Sequence, residues 1–278
     1  MNVLRPVIET RSFHMFGNYL EAGGEAIIND GIGPALAHST TGDGDIYGLL
    51  PPTHTVDERL EVTIAGRRLV LMHAPGETDD QLLVWLPDER VLLPGDNVYK
   101  AFPNLYTIRG TRYRDVMQWA HSVRLMRSLG AEHLIPSHTR PVSGAKAVDD
   151  ILQVYGDAIQ FVHDQTVRGI NQGLDADTMA RTVQLPAELA EHPWLQPFYG
   201  TVPWSVRAIY NGYLGWFEGN SSTLFPIASA TRAQRLLALA GGADAVLAEA
   251  EAQLPADPQW AAELADLVRA ASPDSVPV

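Results

Sequence analysis

Residues 73–114 read HAPGETDDQLLVWLPDERVLLPGDNVYKAFPNLYTIRGTRYR, a stretch in which short apolar runs alternate with turns. The run Leu69-Val70-Leu71-Met72 leads into it and stops at Pro75-Gly76, a turn that delivers Glu77. A second run, residues 81–86, is closed by Pro87-Asp88-Glu89. A third, Val91-Leu92-Leu93, is closed by Pro94-Gly95, and that turn delivers Asp96. Runs of this length, bounded by Gly and Pro, predict short buried strands. Carboxylates at strand ends, on turns held by a rigid sheet, are well placed to bind a metal ion. Leu134-Ile135-Pro136-Ser137-His138 repeats the pattern and ends on an imidazole. Glu77, Asp96 and His138 together offer two oxygen donors and one nitrogen donor, enough for a catalytic zinc-type site with one open position. The alternative reading makes all three ordinary turn residues.

Upstream, residues 60–64 alternate, Ala65-Gly66 turns, and residues 67–71 return, which predicts a hairpin. His73 follows it and is a further candidate beside the metal, as a supporting group or as a ligand. Residues 1–50 are weakly patterned and dense in glycine, and they read as a long loop over the sheet. Downstream, residues 113–130 predict a helix with an apolar face of Trp119, Val123, Leu125, Met126 and Leu129, stopped by Gly130. A strand to Pro136 follows. From Ala145 the chain turns helical. Residues 147–163 carry Val148, Ile151, Leu152, Tyr155, Ile159 and Val162 at helical spacing. Asp175 is placed to cap a helix over residues 176–183. Residues 206–217 predict another helix, whose aromatic stripe suits a core or a dimer interface. The alanine-rich end predicts three helices, separated by Gly241-Gly242 and by residues 255–258.

The motifs PGE (residues 75–77), GDN (95–97), FPNLYTIRGT (102–111) and PSHTRP (136–141) resemble the alkyl/aryl sulfatases of the metallo-β-lactamase superfamily. Residues 199–220, YGTVPWSVRAIYNGYLGWFEGN, resemble that family's dimerisation domain, and residues 15–19, MFGNY, match a family segment near the active site. The resemblance implies an α/β fold: the C-terminal half of a metallo-β-lactamase αββα sandwich over residues 1–144, then an all-α dimerisation domain over 145–278. It implies that Glu77 ligates one metal, Asp96 bridges two and His138 ligates the second. It implies that Asn104 and Arg109 hold the sulfate oxygens and that Tyr199 reaches toward them. A guanidinium offers paired donors to a tetrahedral oxyanion, and an amide adds a neutral one.

One departure stands against this pattern. The superfamily's H-x-H-x-D-H motif is absent: the nine histidines, His14, His38, His54, His73, His121, His133, His138, His163 and His192, never fall two apart. The expectation is therefore a sulfatase that has lost its first half-domain. It would hold one or two zinc ions, or manganese or iron, on a reduced site that a second chain could complete through His14, His54 or His73. Loss of a layer would leave apolar sheet surface to cover, which predicts a homodimer or higher oligomer. The expected activity is metal-dependent hydrolysis of small-molecule sulfate or phosphate esters, phosphotriesters included; the alternative is a non-catalytic dimeric scaffold.

Bulk properties narrow the classes. The formal net charge of −13 argues against nucleic acid or an anionic membrane surface as a partner. Any anion site must therefore be basic locally. The absence of cysteine excludes disulfides, thiolate ligands and a cysteine nucleophile. No apolar run is long enough to span a bilayer, and the N-terminus lacks a secretion pattern, so the expected compartment is the cytoplasm.

Overall fold

The computed structural model describes residues 51–108 and 110–272. Six strands form one sheet in sequential order, β1 (Arg59–Ile64), β2 (Arg67–His73), β3 (Leu82–Leu86), β4 (Val91–Leu93), β5 (His133–Leu134) and β6 (Val142–Ser143). The first four run as an antiparallel meander. β4 pairs parallel with β5, and β5 antiparallel with β6. The predicted hairpin is β1–β2, turning at Ala65-Gly66 with Ile64 opposite Arg67. Both turn residues have positive φ, 51° and 79°. That pairing belongs to the two-residue turn whose twist matches its strands.

The parallel step from β4 to β5 needs a crossover, and α1 (Val116–Ser128) supplies it. Asp115 caps α1 by accepting from the Gln118 N–H at 3.0 Å, so the helix starts three residues later than the apolar pattern alone predicts. The long helix α2 (Ala145–Asn171) packs against α1 and extends eight residues beyond the predicted end at His163. Val148, Ile151, Leu152, Tyr155, Ile159, Val162 and Thr166 form its buried stripe. Val70, Met72, Leu83, Trp85, Leu92 and Leu134 face these helices and make one core with them. The alternation along β2 and β3 thus sends every second residue inward, as strand geometry requires.

Two short helices, α3 (Ala176–Thr182) and α4 (Ala187–Ala190), lead to α5 (Val202–Leu214). Asp175 caps α3 as expected, accepting from the Thr178 N–H at 2.8 Å. α5 begins at Thr201, whose hydroxyl accepts from the Trp204 N–H, and Pro203 sits in its first turn. It packs on α2 and α3. A second compact unit contains α6 (Ser229–Leu239), α7 (Ala243–Gln253) and α8 (Pro258–Ala271), closed around Leu237, Val246 and Leu264. The three C-terminal helices fall where the glycine and proline breaks place them. Packing divides the described residues between Trp216 and Phe217. The buried stripe of α2, which begins just after Gly144, completes the same core as the sheet.

Candidate metal centre and anion site

The site is built on the turns that follow β2 and β4. Asn97, fully buried, ties them together. Its amide Nδ2 donates to the Ala74 carbonyl at 2.6 Å, and its Oδ1 accepts from the Glu77 N–H at 3.0 Å. The Trp119 indole N–H of α1 donates to the Asn97 carbonyl at 3.0 Å, and the Ser122 hydroxyl donates to the Pro75 carbonyl at 2.7 Å. Gly76 is required by this closeness, because a Cβ there would lie 2.2 Å from Asn97 Oδ1. The turn carrying Glu77 is therefore clamped from two sides.

Asp96 precedes Asn97 in a short 3₁₀ turn. Its Oδ1 is sealed from solvent without a hydrogen-bond partner among the described residues, and the His138 Nε2 lies 3.6 Å from it. The imidazole itself is half exposed. Thr139, the next residue, holds φ +71°, a rare conformation for a β-branched side chain. Strain of this kind collects at functional sites, where the surroundings over-determine the backbone.

Glu77 is turned into the protein. The Arg114 guanidinium donates to its Oε1 at 3.1 Å, and the two side chains are only 6% and 10% exposed. The same guanidinium donates to the Asn104 carbonyl, so one cation joins the Glu77 turn to the Asn104 segment. Asn104 is fully buried, its N–H donating to the Tyr99 hydroxyl at 2.6 Å. Among the described residues its side-chain oxygen and nitrogen have no hydrogen-bond partner. A buried amide with neither end satisfied costs free energy, about 1–3 kcal/mol, and such a group calls for a ligand.

Tyr99 lies edge-on to Tyr155 of α2, ring centroids 6.2 Å apart, and to Tyr199, at 5.7 Å. Burial, with Tyr155 and Glu77 nearby, pushes the Tyr99 phenol well above its ordinary pKa. Burial does the same to Tyr155, with smaller contributions from Glu77 and Asp96. Both phenols therefore stay neutral and can donate. The Tyr155 hydroxyl points toward Tyr99 without a well-formed hydrogen bond. Tyr199 is brought to this cluster by backbone pairing. The Phe102 N–H donates to the Gln196 carbonyl at 2.9 Å, and the Gly200 N–H to the Phe102 carbonyl at 3.2 Å. A Cβ at Gly200 would stand 2.2 Å from the Pro103 carbonyl oxygen, so only glycine admits this approach.

The expected donors are thus gathered unequally. Asp96 and His138 meet; Glu77 lies at the same corner but is taken up by Arg114. His73 is exposed, its Nε2 on the Asp79 carbonyl at 2.7 Å, and faces neither. Among the described residues no group of three His, Asp or Glu converges as a metal cage. The Glu77 carboxylate is held by Arg114 and its backbone N–H by Asn97. Asn104 and Tyr199 stand within one aromatic cluster. Arg140 and His54 are exposed. Arg109, His14, His38 and the MFGNY segment lie outside the described residues. Sequence reasoning missed Asn97, Tyr99, Arg114 and Tyr155. The signal for Asn97 was its place beside Asp96 within the GDN motif.

Two family models match the chain, Metallo-beta-lactamase superfamily over residues 11–138 and Alkyl sulfatase dimerisation over residues 175–277. A linear primary-alkylsulfatase of Pseudomonas sp. is 42% identical over 266 residues, 95% of this chain and 49% of that protein. The chain belongs to the alkyl/aryl sulfatase family of the metallo-β-lactamase superfamily. An alkyl/aryl-sulfatase of Saccharomyces cerevisiae is 35% identical over 86% of this chain and 37% of its own length. A solved double mutant of a sec-alkyl sulfatase superposes with a TM-score of 0.90 at 28% identity, covering 98% of this chain and 43% of that one. The chain thus spans about half the length, or less, of the relatives it matches.

Family membership implies a metal cofactor. The donor chemistry of one corner fits a divalent cation: an unpartnered carboxylate oxygen beside an imidazole nitrogen, both on turns fixed by the sheet.

Proposed function

We propose that this protein hydrolyses sulfate esters of small molecules, with related phosphate esters as further substrates, in a metal-dependent reaction. The observation that carries the reading is the buried Asn104 amide, unsatisfied among the described residues and joined through Arg114 to Glu77, together with the Asp96–His138 pair. The alkylsulfatase relatives support it. Asp96 and His138 are the proposed donors, with Glu77, tied to the corner through Asn97, as the further carboxylate. His73 is a proposed supporting group. When bound, a zinc, manganese or iron ion would supply Lewis acidity toward the ester oxygens and lower the pKa of water to about 7, as in three-ligand zinc sites.

The chain's own residues do the rest. The Asn104 Nδ2 donates to an ester oxygen whose charge grows in the transition state, where a fixed donor in a dry setting is worth most. Arg109 is the proposed second donor to that group. Tyr199 packs against Tyr99, whose hydroxyl holds the Asn104 N–H, so the tyrosines fix the amide's aim. The neutral Tyr155 and Tyr99 phenols add no negative charge where an anion must bind.

The assay follows release of sulfate from decyl sulfate and of phosphate from an aryl phosphate, with metal content measured in parallel. Metal-supplied protein should turn over the sulfate ester. His138→Ala should lose both metal and turnover. Turnover no different from the His138→Ala variant, with no metal retained, would leave the second reading, a scaffold without catalysis. That reading draws on the lack of a three-donor cage among the described residues.

The dimerisation-module match supports assembly into a homodimer. In the first unit Tyr213, Leu214 and Trp216 are exposed; in the second, Phe225 and Leu239 are more than 80% exposed. Light scattering at micromolar concentration should give at least twice the 30.4 kDa chain mass; a single-chain mass would refute assembly.

A further inference from the structure

One side chain of α2 carries more than its packing needs. Tyr155 lies in the buried stripe between Leu152 and Ile159 and is wholly enclosed, in a place that a phenylalanine ring would fill equally well. The hydroxyl is the part the core does not use. It is sealed from water and has no well-formed hydrogen bond among the described residues. A buried hydroxyl left unpaired destabilises a fold, so one that persists calls for a reason. Tyr113 offers a contrast. Burial, with Tyr213 and Asp115 nearby, raises its phenol to about 12, yet it stays 45% exposed where it lies on Gly212 of α5. Tyr155 has no such outlet to solvent.

The surroundings of Tyr155 supply the reason. Its ring meets Tyr99 edge-on, with centroids 6.2 Å apart and planes at 80°. Its hydroxyl is directed at the backbone and hydroxyl of Tyr99, and the Glu77 and Asp96 carboxylates act on it electrostatically. Tyr99 in turn accepts from the Asn104 N–H at 2.6 Å. The line therefore runs from α2 through Tyr155 and Tyr99 to Asn104, whose amide stands unsatisfied at its end. A phenol oxygen accepts and donates at once, so Tyr155 is able to donate to the oxygen that already holds the Asn104 N–H. Hydrogen bonds of this kind are often long in an empty site and tighten when the ligand arrives. The base of the line is firm. α2 is 27 residues long, and at Gly156, one residue on, a Cβ would already touch Val123 of α1 at 3.4 Å. A donor rooted on such a helix is held more exactly than one on a loop.

We propose that Tyr155 is a positioning residue of the anion site: its hydroxyl steadies Tyr99, and Tyr99, through the Asn104 N–H, fixes the direction of the Asn104 amide. The inference rests on the proposed ester hydrolysis, in which that amide meets the ester. Tyr155 itself touches no reacting atom. It acts through two intervening residues, and its ring and its hydroxyl have separate duties, the ring in the core and the hydroxyl toward the site.

The test is Tyr155→Phe in the full-length chain, which keeps the ring and removes only the hydroxyl. Its urea unfolding midpoint should be equal to that of the unaltered chain or higher, since an unpaired buried group is gone. Amide hydrogen exchange, read by mass spectrometry, should nevertheless quicken about fivefold to tenfold in the peptide spanning residues 100–108, the weight of one hydrogen bond, with the α2 peptides unchanged. Tyr99→Phe should quicken the same peptide. On decyl sulfate with metal supplied, Tyr155→Phe should lower kcat about tenfold and leave KM within about twofold, as when an interaction made in the transition state is lost. Its metal content should not change. In an Asn104→Ala background Tyr155→Phe should cost nothing further, because the group it directs is absent. Unchanged exchange over residues 100–108, unchanged kcat in an active chain, or losses that multiply with Asn104→Ala would each overturn the proposal. A chain that turns over no ester, yet exchanges faster in Tyr155→Phe, would refute the hydrolysis and leave the tyrosine line standing.

Discussion

Removing Arg114 tests the architecture of the site most directly. Its guanidinium and the Glu77 carboxylate are 3.1 Å apart, with side chains 6% and 10% exposed. Water can replace neither partner. Arg114→Met takes from this buried carboxylate the cation that donates to its Oε1, and breaking a buried pair from one side costs about 3–5 kcal/mol. For a compact unit of this size that corresponds to a drop of roughly 6–20 °C in melting temperature, at about 2–4 °C per kcal/mol. The double variant Arg114→Met, Glu77→Gln removes both charges and should recover most of the loss. The remainder, about 1–2 kcal/mol, is the hydrogen bond to the Asn104 carbonyl. Arg114→Lys should fall between them, since an ammonium lacks the planar fork that reaches both partners. The assay is urea unfolding of the chelator-treated full-length chain, followed by circular dichroism. A loss below about 1 kcal/mol for Arg114→Met, or a double variant no more stable than the single, would refute the claim that Glu77 is held as a compensated buried charge.

Asn104→Ala should separate stability from function. Both side-chain amide atoms are unpartnered, so unfolding should shift by about 1 kcal/mol or less, while turnover falls by roughly a hundredfold or more, as when an oxyanion donor is removed; equal losses in both would show a structural amide only. Tyr113 ionises at about 12 in the fold against about 10 when unfolded. Its stabilisation is full below the unfolded value and is lost as pH rises through the folded one. Stability should therefore decline between about pH 10 and 12 in the unaltered chain, and less so in Tyr113→Phe; identical alkaline profiles would contradict the assignment.

Much of the frame could be read from residue pattern. The hairpin at Ala65-Gly66, the strands before Glu77 and Asp96, and the helix from Asp175 follow local rules of turn, alternation and cap, and these rules act over a few residues. The meeting of Asp96 with His138 was legible for the same reason, each standing just past the end of one of two paired strands. Arg114 was not legible. It lies 37 residues from Glu77, and nothing in its neighbours distinguishes it from the arginines at 109 and 112. Tyr155 read as core, and it is core by burial, but its hydroxyl ends among Tyr99, Glu77 and Asp96. That α2 closes the sheet's core was not legible either, because helical spacing does not record which layer the helix packs on.

Asn97 has a consequence of its own. Its side chain grips Ala74 and Glu77 while its backbone is continuous with Asp96, so the two turns cannot shift independently. A displacement of one acidic corner is transmitted to the other through a single amide, with Trp119 anchoring the linkage to the crossover helix. Tolerance at position 97 should therefore be narrower than at either carboxylate, and an aspartate there, which cannot donate to the Ala74 carbonyl, would uncouple the corners while leaving both acids in the chain.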